Sequence, residues 1–189
     1  MDLKSYTKQY LSETIEIARA IDIDAVVSSA EIIGGLKQSG GRLFILGVGG
    51  SAANASHAVN DFRKLAGIEA YTPADNVSEL TARTNDEGWN TVFHKWLEIS
   101  KLGEKDVLMI FSVGGGSPSV SANITEAIDY AVLKKAKIIA IVSRDGGHAK
   151  EKAHACVLIP VIDKERITPH AEGWQAVLWH LIVNAILFG

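Results

Sequence analysis

The sequence predicts an α/β fold: a doubly wound parallel sheet of about five strands flanked by helices, with two further helices at the N-terminus. Short runs that are almost wholly apolar, as in strands buried on both faces of a parallel sheet, alternate with helical segments. In such βαβ units each helix returns the chain to the start of the next parallel strand. No linker, repeat or low-complexity stretch interrupts the chain, so residues 1–189 are expected to form one domain.

The elements follow in a regular order. Helices over residues 3–20 and 24–39 open the chain, and Gly40-Gly41 ends the second of them. Apolar runs rich in β-branched residues predict strands over residues 43–46, 107–111, 137–142 and 156–161, with a weaker candidate over 69–72. Helical segments are predicted between and after the strands, over residues 51–66, 89–100, 119–135 and 170–187.

Composition and charge restrict the function classes. Apolar residues make up 47% and charged residues 22% of the chain, as in ordinary globular proteins, and a formal net charge of −3 argues against a nucleic-acid-binding surface. No apolar run reaches the ~18 residues of a membrane span, and the N-terminus lacks the apolar core of a signal peptide. We expect a cytoplasmic protein that binds neither nucleic acid nor membrane, with Cys156 buried and inert.

The segment 47–51, Gly-Val-Gly-Gly-Ser, follows the first predicted strand and precedes a helix. Glycines there let the backbone turn sharply and approach a ligand, Ser51 can cap the helix, and the free N–H groups of a helix start attract an anion. The pattern therefore favours a phosphate ligand, and the alternative is a tight turn without one. Nucleotide motifs do not fit, since no Lys follows the glycines and Ala52 occupies the last position of a G-x-G-x-x-G pattern.

Two more loops of the same kind follow later strands, over residues 112–119 (SVGGGSPS) and 143–147 (SRDGG). The carboxyl ends of parallel strands meet at one edge of the sheet, where open α/β sheets bind their ligands. Serine hydroxyls and backbone N–H groups can hold a phosphate without Lys or Arg. Two loops rich in Gly and Ser at one sheet edge predict a phosphate cradle more strongly than either does alone.

Four further side chains suggest a metal. His57 and Asp61 share one helix face, and Glu172 and His180 lie within one broad stripe of the last helix. Two imidazoles and two carboxylates suit Zn²⁺, whose charge the carboxylates would neutralise. The alternative is a metal-free site in which His57 donates a hydrogen bond to a carboxylate.

Taken together, these motifs resemble the SIS (sugar isomerase) family, and more narrowly its phosphoheptose isomerases, which interconvert sedoheptulose 7-phosphate and a D-glycero-heptose 7-phosphate. The resemblance covers nearly the whole chain. It is carried by the pattern GxGGSAxxAxH at 47–57, by Thr84-Asn85-Asp86 with Val92-Phe93, by the Ser-Gly loop 112–117, and by the segment 168–180.

The resemblance implies a role for individual residues. Those matching positions that bind the substrate and its phosphate are Val48, Gly49, Gly50, Ser51, Asn85, Asp86, Ser112, Val113, Gly114, Ser117 and Glu172. Those matching zinc ligands, with one ion expected per subunit, are His57, Asp61, Glu172 and His180. Asp61 also matches the base, and His180 the acid, of an aldose–ketose isomerisation through an enediol. The family forms tetramers with shared active sites, which implies a homotetramer in which the last helix brings His180 near a neighbouring chain.

Departures from the family pattern leave the substrate open. The family has Asn where this chain has Val48, Glu where it has Asp61, Ser where it has Gly114, Gln where it has Glu172, and Arg where it has Leu65. One alternative is an isomerase for another sugar phosphate, and a second is a non-catalytic SIS protein that binds a protein partner or senses a sugar phosphate. All four metal positions keep side chains that can bind metal, which favours an enzyme. The extra charge at position 172 predicts firmer binding of a divalent cation than in relatives with Gln.

Overall fold

The computed structural model describes residues 2–188, and its centre is a five-stranded sheet in which all strands are parallel. The strands are β1 Leu43–Leu46, β2 Ala70–Tyr71, β3 Val107–Ser112, β4 Lys137–Val142 and β5 Ala155–Leu158. Helices cover both faces of the sheet, so the predicted doubly wound α/β fold is confirmed.

The helices are α1 Leu3–Ala20, α2 Ile23–Gly34, α3 Leu36–Ser39, α4 Gly50–Lys64, α5 Val77–Glu87, α6 Val92–Ile99, α7 Ala122–Leu133, α8 Gly147–Lys152 and α9 Ile167–Phe188. The predicted helix over 24–39 is divided at Gly35, between α2 and α3. The patterns do not predict α5 or α8, because α5 has no buried residue and α8 buries one alanine. Within residues 2–188, no helix combines the length and apolarity needed to cross a membrane.

The strand order β2-β1-β3-β4-β5 reverses direction between β1 and β3. The chain first adds β2 on one side of β1 and then crosses to the other side to add β3, β4 and β5. A crevice opens at such a reversal, outside the carboxyl ends of the strands, and ligands of open α/β sheets bind there. The loops after β1 and β3 therefore border the same crevice.

Side chains of the strands alternate between two hydrophobic layers. Leu43 and Ile45 face a layer built with α2, α4 and α9, whereas Phe44 and Leu46 face a layer built with α6 and α7. Every residue of β1 and β3 is buried, which explains why these strands have continuous apolar sequences.

The last strand ends earlier than predicted. Residues 156–161 were expected to form it, but β5 ends at Leu158. The Ile159 N–H still donates to the Val142 carbonyl at 2.7 Å, whereas Pro160 has no N–H with which to continue the ladder. Cys156 is half-buried in β5 instead of fully buried, and burial raises the pKa of its thiol, so the sulfur stays protonated.

Glu13 ties α1 to the start of α9. Its carboxylate accepts hydrogen bonds from Arg166 Nε at 2.9 Å and Nη2 at 2.8 Å, and lies 2.9 Å from His170 Nε2. Gln9 donates a further bond at 3.0 Å. The bonds from Arg166 are the main reason why the pKa of Glu13 falls to about 2. Glu13 and Ile17 are the buried residues of α1, so this contact carries much of the attachment of the helix.

Candidate functional site

The turn between β1 and α4 depends on its glycines. A side chain at Gly47 would overlap the Ser51 backbone, and Gly49 has φ 63 and ψ −128, a region that favours glycine. Gly49 is the N-cap of α4, so Ser51 lies inside the first turn and does not cap the helix as predicted. Because no side chain caps the helix, its first N–H groups are left for an anion.

The loops after β3 and β4 are joined through their backbones. The Ser143 N–H donates to the Val113 carbonyl at 3.1 Å, and the Ala149 N–H donates to the Gly115 carbonyl at 2.9 Å. A side chain at Gly115 would overlap the backbone of Gly146, so the two loops could not approach this closely without a glycine there. Both loops are thus held at the carboxyl edge of the sheet as one wall of the crevice.

These loops enclose a cavity of about 570 Å³ where the strand order reverses. Its lining includes six of the predicted substrate-binding residues, namely Val48, Ser51, Ser112, Val113, Gly114 and Ser117. The start of α7 also lies here, since Ser121, the residue before α7, lines the cavity without capping the helix. Two helix N-termini and several hydroxyl groups therefore face one space, which suits an anion such as phosphate.

Sequence reasoning missed several cavity residues, among them Arg144, Asp145 and Thr168. The loop 143–147 was recognised, but no role was assigned to a residue in it. The position of Arg144 directly after a strand was the available signal, because the carboxyl ends of parallel strands share one edge.

Two predicted substrate residues lie away from the cavity. Asn85 and Asp86 are exposed near the end of α5, where the Asn85 amide donates to the Asp86 carboxylate at 2.7 Å. Neither residue lines the cavity within this chain.

A polar seam leads away from the cavity between α4 and α9. We define the α4–α9 seam as Gly50, Asn54, His57 and Asp61 of α4 with Glu172, Gln175, Trp179 and His180 of α9. The Asn54 amide donates to the Glu172 carbonyl at 2.9 Å and to Gln175 Oε1 at 3.1 Å. Gln175 is fully buried here. Further along, the ring of His57 packs against Trp179, with centroids 4.7 Å apart.

His57, Asp61 and His180 come together at the far end of the seam. Each offers one ligand atom, and all three atoms lie within 4.8 Å of one another. His180 Nε2 lies 3.7 Å from Asp61 Oδ2, and their side chains are 47% and 13% exposed. The Ala176 carbonyl can only accept, so His180 Nδ1, 2.7 Å away, is the donor and Nε2 is left facing Asp61. The Asn60 amide donates to the other Asp61 oxygen at 2.8 Å.

Glu172 lies at the opposite end of the seam. Its carboxylate occupies the space beside Gly50, where an added Cβ would come within 2.5 Å of Oε2. His180 lies eight positions further along α9, a rise of about 12 Å. The structure thus brings together three of the four predicted metal ligands and places Glu172 near the cavity instead.

Comparison with known proteins identifies the family of this chain. The family model of the SIS domain matches residues 7–143. The chain belongs to the SIS domain family. A phosphoheptose isomerase of Chlorobium phaeobacteroides is 35% identical to this SIS domain over 169 residues, which cover 85% of this chain and 71% of that protein. A lincomycin biosynthesis protein of Streptomyces lincolnensis is 30% identical over 193 residues, covering 96% and 68% of the two chains.

A solved structure has the same fold over its whole length. The phosphoheptose isomerase of Neisseria gonorrhoeae superposes on this SIS domain with a TM-score of 0.85 and 27% identity, covering 100% of both chains. The sequence-based assignment to the SIS family and to its phosphoheptose isomerase type is thereby confirmed.

Proposed function

We propose that this protein is an aldose–ketose isomerase that converts sedoheptulose 7-phosphate to a D-glycero-heptose 7-phosphate. One observation carries the proposal: the pair Asp61 and His180 lies at one end of the α4–α9 seam, and the other end opens at the anion cavity. The similarity to phosphoheptose isomerases supports the same reaction.

The length of the seam supports a long sugar. At about 1.5 Å per residue, α4 rises roughly 9 Å from Ser51 to His57 and roughly 15 Å to Asp61. Helical side chains tilt toward the N-terminus, so the Asp61 carboxylate reaches back toward the cavity. An extended seven-carbon sugar spans roughly 10 Å from its phosphate to C1, given C–C bonds of about 1.5 Å. A phosphate held at Ser51 therefore leaves C1 and C2 near the acid–base pair, which a three-carbon sugar phosphate would not reach.

The chemistry assigned to the pair is a proton transfer between C1 and C2. Asp61 removes the proton from the carbon next to the carbonyl. His180 acts in its imidazolium form, with both ring nitrogens protonated: Nδ1–H keeps its bond to the Ala176 carbonyl, and Nε2–H gives its proton to the carbonyl oxygen to form the enediol. The bond from His180 Nδ1 to the Ala176 carbonyl orients the ring for this role. Glu172, beside Gly50 at the cavity end of the seam, is assigned to accept a hydrogen bond from a sugar hydroxyl.

A zinc ion is assigned to His57, Asp61 and His180. Two imidazoles and one carboxylate within 4.8 Å of one another fit a catalytic zinc site, which keeps one coordination position open. When bound, the ion would occupy His180 Nε2 and would supply, in place of the imidazolium proton, the Lewis acidity that polarises a carbonyl oxygen. Glu172 is left out of this set because about 12 Å of helix rise separates it from His180.

The protein purified without a chelator is expected to carry about one zinc ion per chain. Adding a chelator should lower the melting temperature, because a ligand that binds only the native state stabilises that state. Elemental analysis should show that His57→Gln loses the ion, whereas Glu172→Gln keeps it. His148→Gln is a matched control, because His148 contacts Asp129 away from the site. A metal-free protein with full activity would contradict the zinc assignment.

A homotetramer is assigned from the exposed apolar surface. An apolar groove of about 890 Å³ lies between α2 and α9, and exposed residues of α1, such as Leu11 and Ile15, add further apolar surface. A second copy of the chain is the partner we assign to this surface.

Light scattering should give the mass of four chains. Leu181→Asp, in the groove, should reduce the mass, whereas Leu133→Asp, exposed on α7, should not. A monomer at micromolar concentration would contradict the assignment.

The direct test of function is to incubate the protein with sedoheptulose 7-phosphate and follow aldose formation by NMR. In D₂O the enediol route also exchanges a carbon-bound proton for deuterium, which a binding protein without catalysis would not do. Ribulose 5-phosphate and fructose 6-phosphate are the comparison substrates. Faster turnover of either would assign the protein to another sugar phosphate, and tight binding without turnover would support the non-catalytic alternative.

A further inference from the structure

Arg144 brings the positive charge to the cavity lining. It is the one lysine or arginine among the described residues that enclose the cavity, and its side chain is exposed to that space. Among residues 2–188, Arg144 has no hydrogen-bond or ion-pair partner, in contrast to Arg42, Arg83 and Arg166, which all bind carboxylates. The guanidinium is therefore available for a ligand. The sequence pattern had suggested a cradle built from hydroxyl and N–H groups without a cation.

The backbone holds Arg144 in a conformation that an arginine rarely adopts. Its φ is 56, in the left-handed region that favours glycine. The turn is fixed on both sides, because the Ser143 hydroxyl donates to the Ile159 carbonyl at 2.8 Å and the Gly146 N–H donates to the Ser143 carbonyl at 3.0 Å. Strained residues of this kind occur at ligand sites, where the surrounding structure enforces them.

The side chain lies over Gly114. A Cβ at Gly114 would lie 3.9 Å from Arg144 Cδ, an ordinary contact distance. The family pattern has Ser at this position, so this chain lacks one hydroxyl in the cradle and has the Arg144 side chain beside the same place. The remaining donors from this loop are neutral, namely the hydroxyls of Ser112 and Ser117.

The one carboxylate in the lining, that of Asp145, is engaged by a backbone N–H group. Asp145 Oδ1 accepts a hydrogen bond from the Gly147 N–H at 3.2 Å, within its own turn. Arg144 and Asp145 offset each other in net charge, but only the guanidinium lacks a protein partner. A dianion entering the cavity would thus meet the N–H donors of one unpaired guanidinium and the N-termini of two helices.

We propose that Arg144 binds the phosphate group of the substrate and sets the preference of the site for phosphorylated over unphosphorylated sugars. The inference rests on the proposed function for the identity of the sugar, but the anion contact itself can be measured without turnover. The planar guanidinium can bind two phosphate oxygens at once, which a lysine cannot do with the same geometry.

The test uses Arg144→Gln and Arg144→Lys, with Lys150→Gln as the matched control. Gln is a shorter, neutral side chain with the same Cβ, so it keeps the backbone strain of this position and removes the charge. Lys150 is an exposed cation that packs against Gly146 outside the cavity lining, so its removal reports the long-range effect of one positive charge. Melting temperatures establish that each variant is folded.

Arg144→Gln is expected to raise the KM for sedoheptulose 7-phosphate about tenfold to hundredfold, the effect of losing a charge-assisted hydrogen bond, with a much smaller change in kcat. It should weaken inhibition by inorganic phosphate to a similar extent. For Arg144→Lys, the KM and the strength of phosphate inhibition should lie between those of wild type and those of Arg144→Gln. If KM and phosphate inhibition change less than about twofold, or no more than in Lys150→Gln, the inference is wrong.

Calorimetry with inorganic phosphate separates this inference from the proposed function. Wild-type protein that binds phosphate tightly, does not isomerise the sugar and loses phosphate binding in Arg144→Gln would support the role of Arg144 and contradict the isomerase assignment. Isomerisation that persists with unchanged phosphate affinity in Arg144→Gln would contradict the role of Arg144 alone.

Discussion

Asp61→Asn and His180→Gln are each expected to lower the turnover of sedoheptulose 7-phosphate by about 10²–10⁴-fold, the usual loss when a positioned acid or base is removed. An Asn amide cannot take up the proton that the Asp61 carboxylate accepts, and Gln has no nitrogen that titrates near neutral pH. Both substitutions nearly preserve side-chain size, and His180 is 47% exposed, so the fold should be unchanged. Steady-state kinetics with an NMR readout of the aldose measures the effect.

Two further variants separate proton transfer from metal binding, since Asp61 and His180 are assigned to both. His57→Gln removes a proposed ligand that has no role in proton transfer, so its activity should recover when zinc is added in excess. Asp61→Glu restores the carboxylate of the family pattern and should keep most of the activity. Asp61→Asn and His180→Gln should stay inactive at any zinc concentration. Near wild-type turnover in either variant would remove that residue from the acid–base mechanism.

Much of the fold could be predicted because burial has a simple signature in this chain. All residues of β1 and β3 are buried, so their sequences are continuous apolar runs. The rule that ligands bind outside the carboxyl ends of parallel strands then located the cavity, and six of the predicted substrate residues line it. The short helices α5 and α8 have too few buried positions to produce a periodic pattern.

The metal set shows what helical spacing alone cannot determine. Glu172 and His180 are eight residues apart, which leaves them about 80° apart around α9 and about 12 Å apart along it. Which of them meets His57 depends on how α4 and α9 align, and this alignment is set by contacts such as Asn54 with Gln175. The direction of the Arg144 side chain depends likewise on its positive φ, which no sequence period encodes.

Glu13→Gln is expected to lower the free energy of unfolding by about 3 kcal/mol, as when one partner of a buried ion pair is removed. The Glu13 and Arg166 side chains are 6% and 12% exposed, so water replaces little of the lost interaction. For a chain of this length the melting temperature should fall by roughly 6–12 °C. Thr168, which lines the cavity, lies between Arg166 and His170, so the start of α9 should also become less ordered. Glu16→Gln, exposed on the same helix, is the control.

The pH dependence gives this prediction its sharpest test. The pKa of Glu13 is about 2 in the folded protein against an ordinary value of 4.5, so between these values the unfolded chain binds the proton and the folded chain does not. The stabilisation is therefore complete above about pH 4.5 and is lost as the pH falls toward about 2. Urea unfolding should show a constant difference in the free energy of unfolding between wild type and Glu13→Gln from neutral pH down to about pH 5, and a shrinking difference below it.

The other groups around this carboxylate provide a second variant. His170 and Arg166 face Glu13, and Asp163 lies 2.5 Å from Arg166, so Asp163→Asn should weaken the network without abolishing it. A Glu13→Gln protein within about 0.5 kcal/mol of wild type, as for an ordinary surface change, would show that α1 is held by other contacts.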